Sequence, residues 1–257
     1  MNPGPGRKSF EERIAEAAAT EQVGWDFSRF SERWVTAEPS WDYAMRARQA
    51  VSSSVALLDM GTGGGEFLST LAPLPRDTWA TEGYAPNFLL ASQRLAPLGG
   101  QVVAVADDDV LPFSEKRFDV ILNRHEAFSP SEIFRVLKEG GTFLTQQVGG
   151  QDCRAVNELL QDEVVMPYAH WTLDSAVAGL EQAGLKITRA LEEFPETSFS
   201  DIGALIHFLR VTPWQVDGFS ISQYAPRLRE LHQKIENSGR LTVKSHRFFI
   251  KARKPQP

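Results

Sequence analysis

The chain has 257 residues, 42% of them hydrophobic and 23% charged, with a formal net charge of −6. That length and balance suit one elaborated globular domain and exclude disordered, collagen-like and coiled-coil chains. No run approaches the roughly 18 consecutive apolar residues of a membrane span, and the opening MNPGPGRKSFEERIAE has the pattern of neither an anchor nor a secretory signal. Cys153 is the only cysteine, so an internal disulfide and a thiolate metal cluster are excluded, and a reducing cytoplasm without a resident metal is the expected setting.

In chain order, residues 8–20 predict a helix, followed by an aromatic segment with Trp25, Phe27, Phe30, Trp34, Trp41 and Tyr43 and then a second helical pattern up to Ser52. Residues 1–52 are therefore expected to be a helical extension or cap. VALLDMG (55–61) is a short apolar run ending in glycines, as for a strand buried on both faces. A helix is expected over 66–71, and strands over 78–83 and 101–108 flank a further helix at 87–99. Strands alternating with helices imply parallel βαβ units.

FDVILNR (118–124) predicts a fourth strand, and Ser129-Pro130-Ser131-Glu132 has the form of a helix start with a capping box. TFLTQQV (142–148) predicts a fifth strand, TLDSAVAGLEQA (172–183) a helix, and LKITRALEEF (185–194) a sixth strand. Residues 201–238 read as a helical insertion interrupted around Pro213 to Gly218, and LTVKSHRFFIKA (241–252) as one last strand. The fold expected over 53–257 is a doubly wound, mostly parallel α/β sheet of seven strands. Its ligand sites lie at the carboxyl ends of the strands, near the topological switch point.

Arg240, Lys244, Arg247, Lys251, Arg253 and Lys254 give residues 240–257 six positive charges and no acid, leaving −12 on the rest of the chain. This alternating segment reads as a solvated edge strand, since a nucleic-acid footprint is usually a broad basic face.

The first strand runs into Asp59-Met60-Gly61-Thr62-Gly63-Gly64-Gly65-Glu66. Four glycines in five positions exceed what a turn requires and allow a ligand to approach the backbone closely. A GxGxxG dinucleotide loop would have glycine where Glu66 stands, although Glu82 lies near the spacing of a ribose-binding acid. A GxxxxGK[ST] phosphate loop is absent, and from Gln49 to Pro75 there is no Lys or Arg. Acids at both ends of the loop suit a ligand carrying an amino group or sulfonium and ribose hydroxyls.

These residues resemble the class I S-adenosylmethionine-dependent methyltransferases. Asp59-x-Gly61-x-Gly63-x-Gly65 is similar to their first motif, Glu82 in ATEG to the acid that accepts both ribose hydroxyls, and ADDDVLPF (106–113) to their third motif. In that third motif Asp107 would meet the adenine amino group and Asp108 would supply backbone contacts. FDVIL (118–122) and RVLKEGGTFL (135–144) are similar to the later signatures, and the likeness spans about 53–190. The resemblance implies a seven-stranded sheet whose last strand is antiparallel and lies beside the fifth. It also implies S-adenosylmethionine as cofactor, S-adenosylhomocysteine as product, and cofactor contacts from Asp59, Gly61, Thr62, Gly63, Gly65, Glu82, Gly83, Asp107, Asp108 and Asn123.

Methyl transfer is an in-line displacement that needs alignment, exclusion of water and sometimes a base. The loop after the fourth strand, Asn123-Arg124-His125-Glu126-Ala127-Phe128, lies nearest that chemistry. It lacks the Asn/Asp-Pro-Pro-Tyr/Phe that grips planar amino groups. His125 is the candidate base and Glu126 the group that orients it, with His170 and His207 as weaker candidates. Gln146 and Gln147 are polar at the end of the fifth strand and could face the pocket or bond to neighbouring backbone. The leading expectation is transfer to an oxygen or nitrogen of a small molecule, with no membrane and no nucleic acid as partner. An RNA-base methyltransferase, a non-catalytic S-adenosylmethionine-binding protein and a nicotinamide-dependent oxidoreductase are the alternatives.

Overall fold

The computed structural model describes residues 8–20, 30–106 and 110–256. Its elements in chain order are α1 (Phe10–Ala19), β1 (Trp34–Thr36), α2 (Tyr43–Val51), β2 (Ala56–Met60), α3 (Glu66–Ser69), β3 (Asp77–Glu82), α4 (Ala85–Leu95), β4 (Gly100–Ala104), β5 (Phe118–Arg124), α5 (Pro130–Val136), β6 (Leu137–Val148), α6 (Arg154–Leu160), α7 (Leu173–Gln182), β7 (Lys186–Glu193), β8 (Glu196–Phe199), α8 (Ile202–Val211), α9 (Ile221–Ser238), β9 (Leu241–Lys244) and β10 (Arg247–Arg253). No helix among the described residues is long and apolar enough to cross a membrane.

Contacts group the chain into two compact units, one of Met1–Pro39, Gly150–His170 and Phe194–His246, the other of Ser40–Gly149, Trp171–Glu193 and Arg247–Pro257. The second unit holds a seven-stranded sheet in the order β4-β3-β2-β5-β6-β10-β7. Neighbours from β4 to β6 are parallel, and β10 runs antiparallel to both β6 and β7. All five residues of β2 are buried, which accounts for its continuous apolar run at the centre of a sheet covered on both faces. The order reverses between β2 and β3 on one side and β5 on the other, so the β2 end is the switch point.

The seven-stranded sheet is the one expected, but the last strand differs in two respects. LTVKSHRFFIKA is two strands, since the backbone turns at Ser245-His246. There the Asp152 carboxylate accepts the His246 N–H at 2.8 Å, and the Ser245 N–H donates to the Pro195 carbonyl at 2.8 Å. Nor is β10 an edge. Phe248, Phe249 and Ile250 are fully buried between two antiparallel partners, and β7 with its mostly exposed residues forms that edge. Lys254 belongs to the same packing: its ammonium donates to the carbonyls of Phe134 at 2.7 Å and Leu137 at 3.0 Å.

The first unit is not purely helical. It pairs α1, α6, α8 and α9 with a three-stranded antiparallel sheet in the order β1-β8-β9. Its core is built on α8, eight of whose ten residues are buried. His207 stacks on Phe30 with ring centroids 4.2 Å apart, which makes it a core residue of this unit.

Asp201 caps α8 by accepting the Ala204 N–H at 3.1 Å and takes the Arg33 guanidinium in two bonds of 2.6 and 2.7 Å. Burial alone would raise this carboxyl, but Arg33, the cap bond and Arg13 outweigh it and hold it below the usual value. Asp201→Ala removes a cap and leaves a half-buried guanidinium short of a partner. The expected outcome is a loss of about 3 kcal/mol in urea unfolding.

Candidate active site

The glycine loop between β2 and α3 is held by β3. Thr81 takes the Gly61 N–H on its hydroxyl at 3.2 Å and the Thr62 N–H on its carbonyl at 2.9 Å, and the Gly65 N–H closes the loop on the Thr62 carbonyl at 3.0 Å. Gly61 and Gly65 have φ of 61° and 78°, in the left-handed region where a side chain is strained. A Cβ on Gly61 would also collide with the Glu126 side chain. At Gly63, whose φ is also 61°, only the Glu66 carboxylate, at 3.8 Å, would stand within 4 Å of a Cβ, so the loop is open at that residue. Glu66 pairs with Arg94 from α4, which also donates to the Gly64 carbonyl, so the acid at the far end of the loop is neutralised.

Asp59, the next-to-last residue of β2, is 4% exposed. Burial pushes its carboxyl up to about 7, against the opposing pull of the Thr62 hydroxyl and the Arg124 guanidinium. No group among the described residues meets the Thr62 hydroxyl in good hydrogen-bond geometry, and its effect on Asp59 is one of proximity. On the neighbouring strand end Glu82 is buried; one carboxylate oxygen accepts the Tyr84 N–H at 2.8 Å. Gly83 follows with no room for a side chain, because a Cβ would lie 2.8 Å from the Val105 carbonyl. Asn87, in the first turn of α4, is buried with its amide nitrogen unpartnered among the described residues.

Asp107 and Asp108 lie outside the described residues, as do Trp25 and Phe27. The chain downstream of those acids is fixed from α5. Glu132 accepts the Leu111 N–H at 2.8 Å, and Arg135 donates to the carbonyls of Phe113 and Leu111 at 2.7 and 3.0 Å. Glu132 thus serves the Leu-Pro-Phe turn, and the Ser129 side chain makes no cap bond.

After β5 the loop bends sharply, with His125 at φ 62°. Asn123, fully buried, supports the bend: its amide oxygen accepts from Thr145 at 2.7 Å and Gln147 at 2.6 Å, and its nitrogen donates to the Ala127 carbonyl at 3.3 Å. Gln147 also donates to the Glu126 carbonyl at 2.9 Å. The Glu126 carboxylate accepts the Ala127 N–H at 3.2 Å, and its side chain lies against Gly61. Gln146 meets His125 twice, through the His125 N–H to its carbonyl at 2.8 Å and between the two side chains at 3.1 Å. Trp41 and Tyr43 reach the same place: the Trp41 indole donates to the Gln146 side chain at 2.8 Å, and the Tyr43 hydroxyl to the Asn123 carbonyl at 3.0 Å. The structure therefore brings Asp59, the glycine loop, Glu82, Asn123, His125 and Glu126 to the carboxyl ends of three neighbouring strands.

The described donor set can be tested against the expected cofactor. A glycine loop open at Gly63 and the buried Glu82 carboxylate, one of whose oxygens is not bonded to the Tyr84 N–H, match a ligand with ribose hydroxyls. Among the described residues no cluster of His, Cys, Asp and Glu could hold a metal. Three comparisons bear on the same residues. A family model described as a methyltransferase domain matches residues 58–145. No curated protein matches the sequence. Among solved structures, a Bacillus halodurans protein assigned as a methyltransferase is 21% identical, with a TM-score of 0.60 over 83% of this chain and 97% of that one. The (4+2)-cyclase SpnF is 18% identical, with a TM-score of 0.52 over 83% and 81%. Geranyl diphosphate methyltransferase, solved with GPP and sinefungin, is 14% identical, with a TM-score of 0.50 over 82% and 77%. At these identities the structural likeness establishes the fold.

Asp59 supplies a prediction. Its folded-state pKa, about 7, exceeds the ordinary 3.8. The folded chain therefore binds the extra proton between those values, and stability falls as pH rises through that window, by at most about 4 kcal/mol. Asp59→Asn removes the penalty. Its urea midpoint is expected above the wild type at pH 8, with the difference shrinking toward pH 4.5.

Proposed function

Because the chain is a class I S-adenosylmethionine-dependent methyltransferase by its domain at 58–145, we propose that it moves a methyl group to an oxygen or nitrogen nucleophile of a small molecule. The observation that carries this reading is the strand-end constellation: a glycine loop fixed by Thr81 and open at Gly63, with the Asp59 carboxyl before it and Glu82 on the neighbouring strand end. S-adenosylmethionine, when bound, supplies an electrophilic methyl carbon on a sulfonium and leaves as S-adenosylhomocysteine.

Glu82 would accept the ribose hydroxyls, since its second carboxylate oxygen makes no bond to the Tyr84 N–H. Gly61, Thr62, Gly63, Gly65 and Gly83 would line the path of the chain and sugar, and Asp59 would lie near the amino group. Asp107 would meet the adenine amino group and Asp108 would supply backbone contacts, as the resemblance implies. The Asn123 network contributes by fixing the bend that carries His125 and Glu126. The solved complex of geranyl diphosphate methyltransferase with sinefungin, an analogue of S-adenosylmethionine, supports the choice of cofactor. A small acceptor is favoured over RNA, because Lys254 is buried in the fold, which removes it from a basic face.

Glu82→Ala is expected to weaken S-adenosylhomocysteine binding roughly ten- to a hundredfold in calorimetry, the value of charge-assisted bonds to two hydroxyls. Unchanged affinity would place the ribose elsewhere. Transfer of labelled methyl to any member of a panel of hydroxylated and amino compounds supports turnover; tight binding with no transfer across the panel favours a non-catalytic binding protein.

A further inference from the structure

The hydrogen bonds around His125 form a chain whose direction can be assigned. An indole N–H is only a donor, so the Trp41 contact at 2.8 Å fixes the Gln146 side-chain oxygen toward Trp41. The Gln146 amide nitrogen is then the atom 3.1 Å from His125 Nε2, and because it can only donate, Nε2 must accept. A neutral imidazole whose Nε2 accepts carries its proton on Nδ1. Both Trp41 and Gln146 are buried, at 5% exposed each, so water does not readily replace the link between them. The backbone adds to the constraint, since the His125 N–H donates to the Gln146 carbonyl at 2.8 Å and φ is held at 62°.

We propose that Trp41 and Gln146 are positioning residues that fix His125 as a neutral, Nδ1-protonated imidazole. In this role the ring offers the acceptor substrate a hydrogen-bond donor, and it does not remove a proton. The inference refines the methyltransferase reading and rests on it for the substrate's presence, but not for the tautomer. Its consequence for the chemistry is direct. The only lone pair of the ring that could take a proton is held by Gln146, so the acceptor's proton is lost through its own acidity or to solvent.

The electrostatics agree in sign. Surrounding protein, then the guanidiniums of Arg247 from β10 and Arg124 at the end of β5, hold the ring below the ordinary histidine value. His125 as a residue is exposed to solvent. Protonating Nε2 would set an N–H against the Gln146 amide N–H and add a cation beside two others. The remaining acids nearby do not reverse this balance. Glu126, next in the chain, is turned onto Gly61, and Glu193 stands opposite Arg247 in the β7–β10 register, where it takes the Ser40 N–H at 3.0 Å.

The test is nitrogen NMR of the full chain labelled at histidine, with His125 assigned by the signals missing from His125→Gln. In the wild type, Nε2 is expected in the unprotonated range and Nδ1 in the protonated range, both unchanged from pH 7.5 to 5.5. Gln146→Glu replaces the donor by a carboxylate, so both ring nitrogens are expected to be protonated at pH 6.5. Protonated Nε2 in the wild type would overturn the proposal, as would averaged signals with a midpoint near the ordinary ~6.5. If Gln146→Glu fails to fold, the wild-type spectrum with its His125→Gln assignment decides alone. No cofactor is needed, so a failure to bind S-adenosylhomocysteine would count against the methyltransferase reading alone.

Discussion

The loop that follows β2 depends on its attachment to Thr81. One hydroxyl and one carbonyl of the neighbouring strand hold the N–H groups of Gly61 and Thr62. Parallel pairing of β2 with β3 brings Thr81 within reach and, one residue further, delivers Glu82 beside the loop. The same pairing buries Asp59 in the middle of the sheet, where desolvation suppresses its charge. A fixed glycine loop, a suppressed acid and a buried ionisable acid thus follow from one strand pair. The left-handed glycines are what permit so tight a return into α3.

Much of the sheet was legible in the sequence because its strands are buried on both faces and read as uninterrupted apolar runs. VALLDM and FDVIL gave β2 and β5 for this reason, and the motif spacing located Asp59 and Glu82 at adjacent strand ends. The short strands β1, β8 and β9, of three or four residues each, carry too little periodicity to separate from helical surroundings. The division of LTVKSHRFFIKA was hidden for another reason: the bend depends on Asp152, nearly a hundred residues away in the chain. Buried Phe248, Phe249 and Ile250 were visible as a triplet, and a run of three apolar residues was the signal that β10 is covered on both faces.

The site shows the same contrast. Arg94, which neutralises Glu66, stands outside the glycine loop in sequence, so a window around the loop contained no cation. Trp41 read as one of several aromatics in an N-terminal segment, although its indole sets the orientation of Gln146. Gln146 and Gln147 were visible as polar residues at the end of an apolar strand. Their separate tasks, one toward His125 and one toward Asn123, appear only when β5 and β6 are paired. A cyclase shares this fold at a TM-score of 0.52, so the scaffold alone does not dictate a reaction.

The strand-end constellation is a claim about which ligand the glycine face receives, and titration calorimetry of the full chain addresses it directly. S-adenosylmethionine and S-adenosylhomocysteine are expected to bind one per chain, with no heat from NAD beyond dilution. Binding of NAD with silence from both sulfur compounds would contradict the assignment of Asp59, the glycine loop and Glu82.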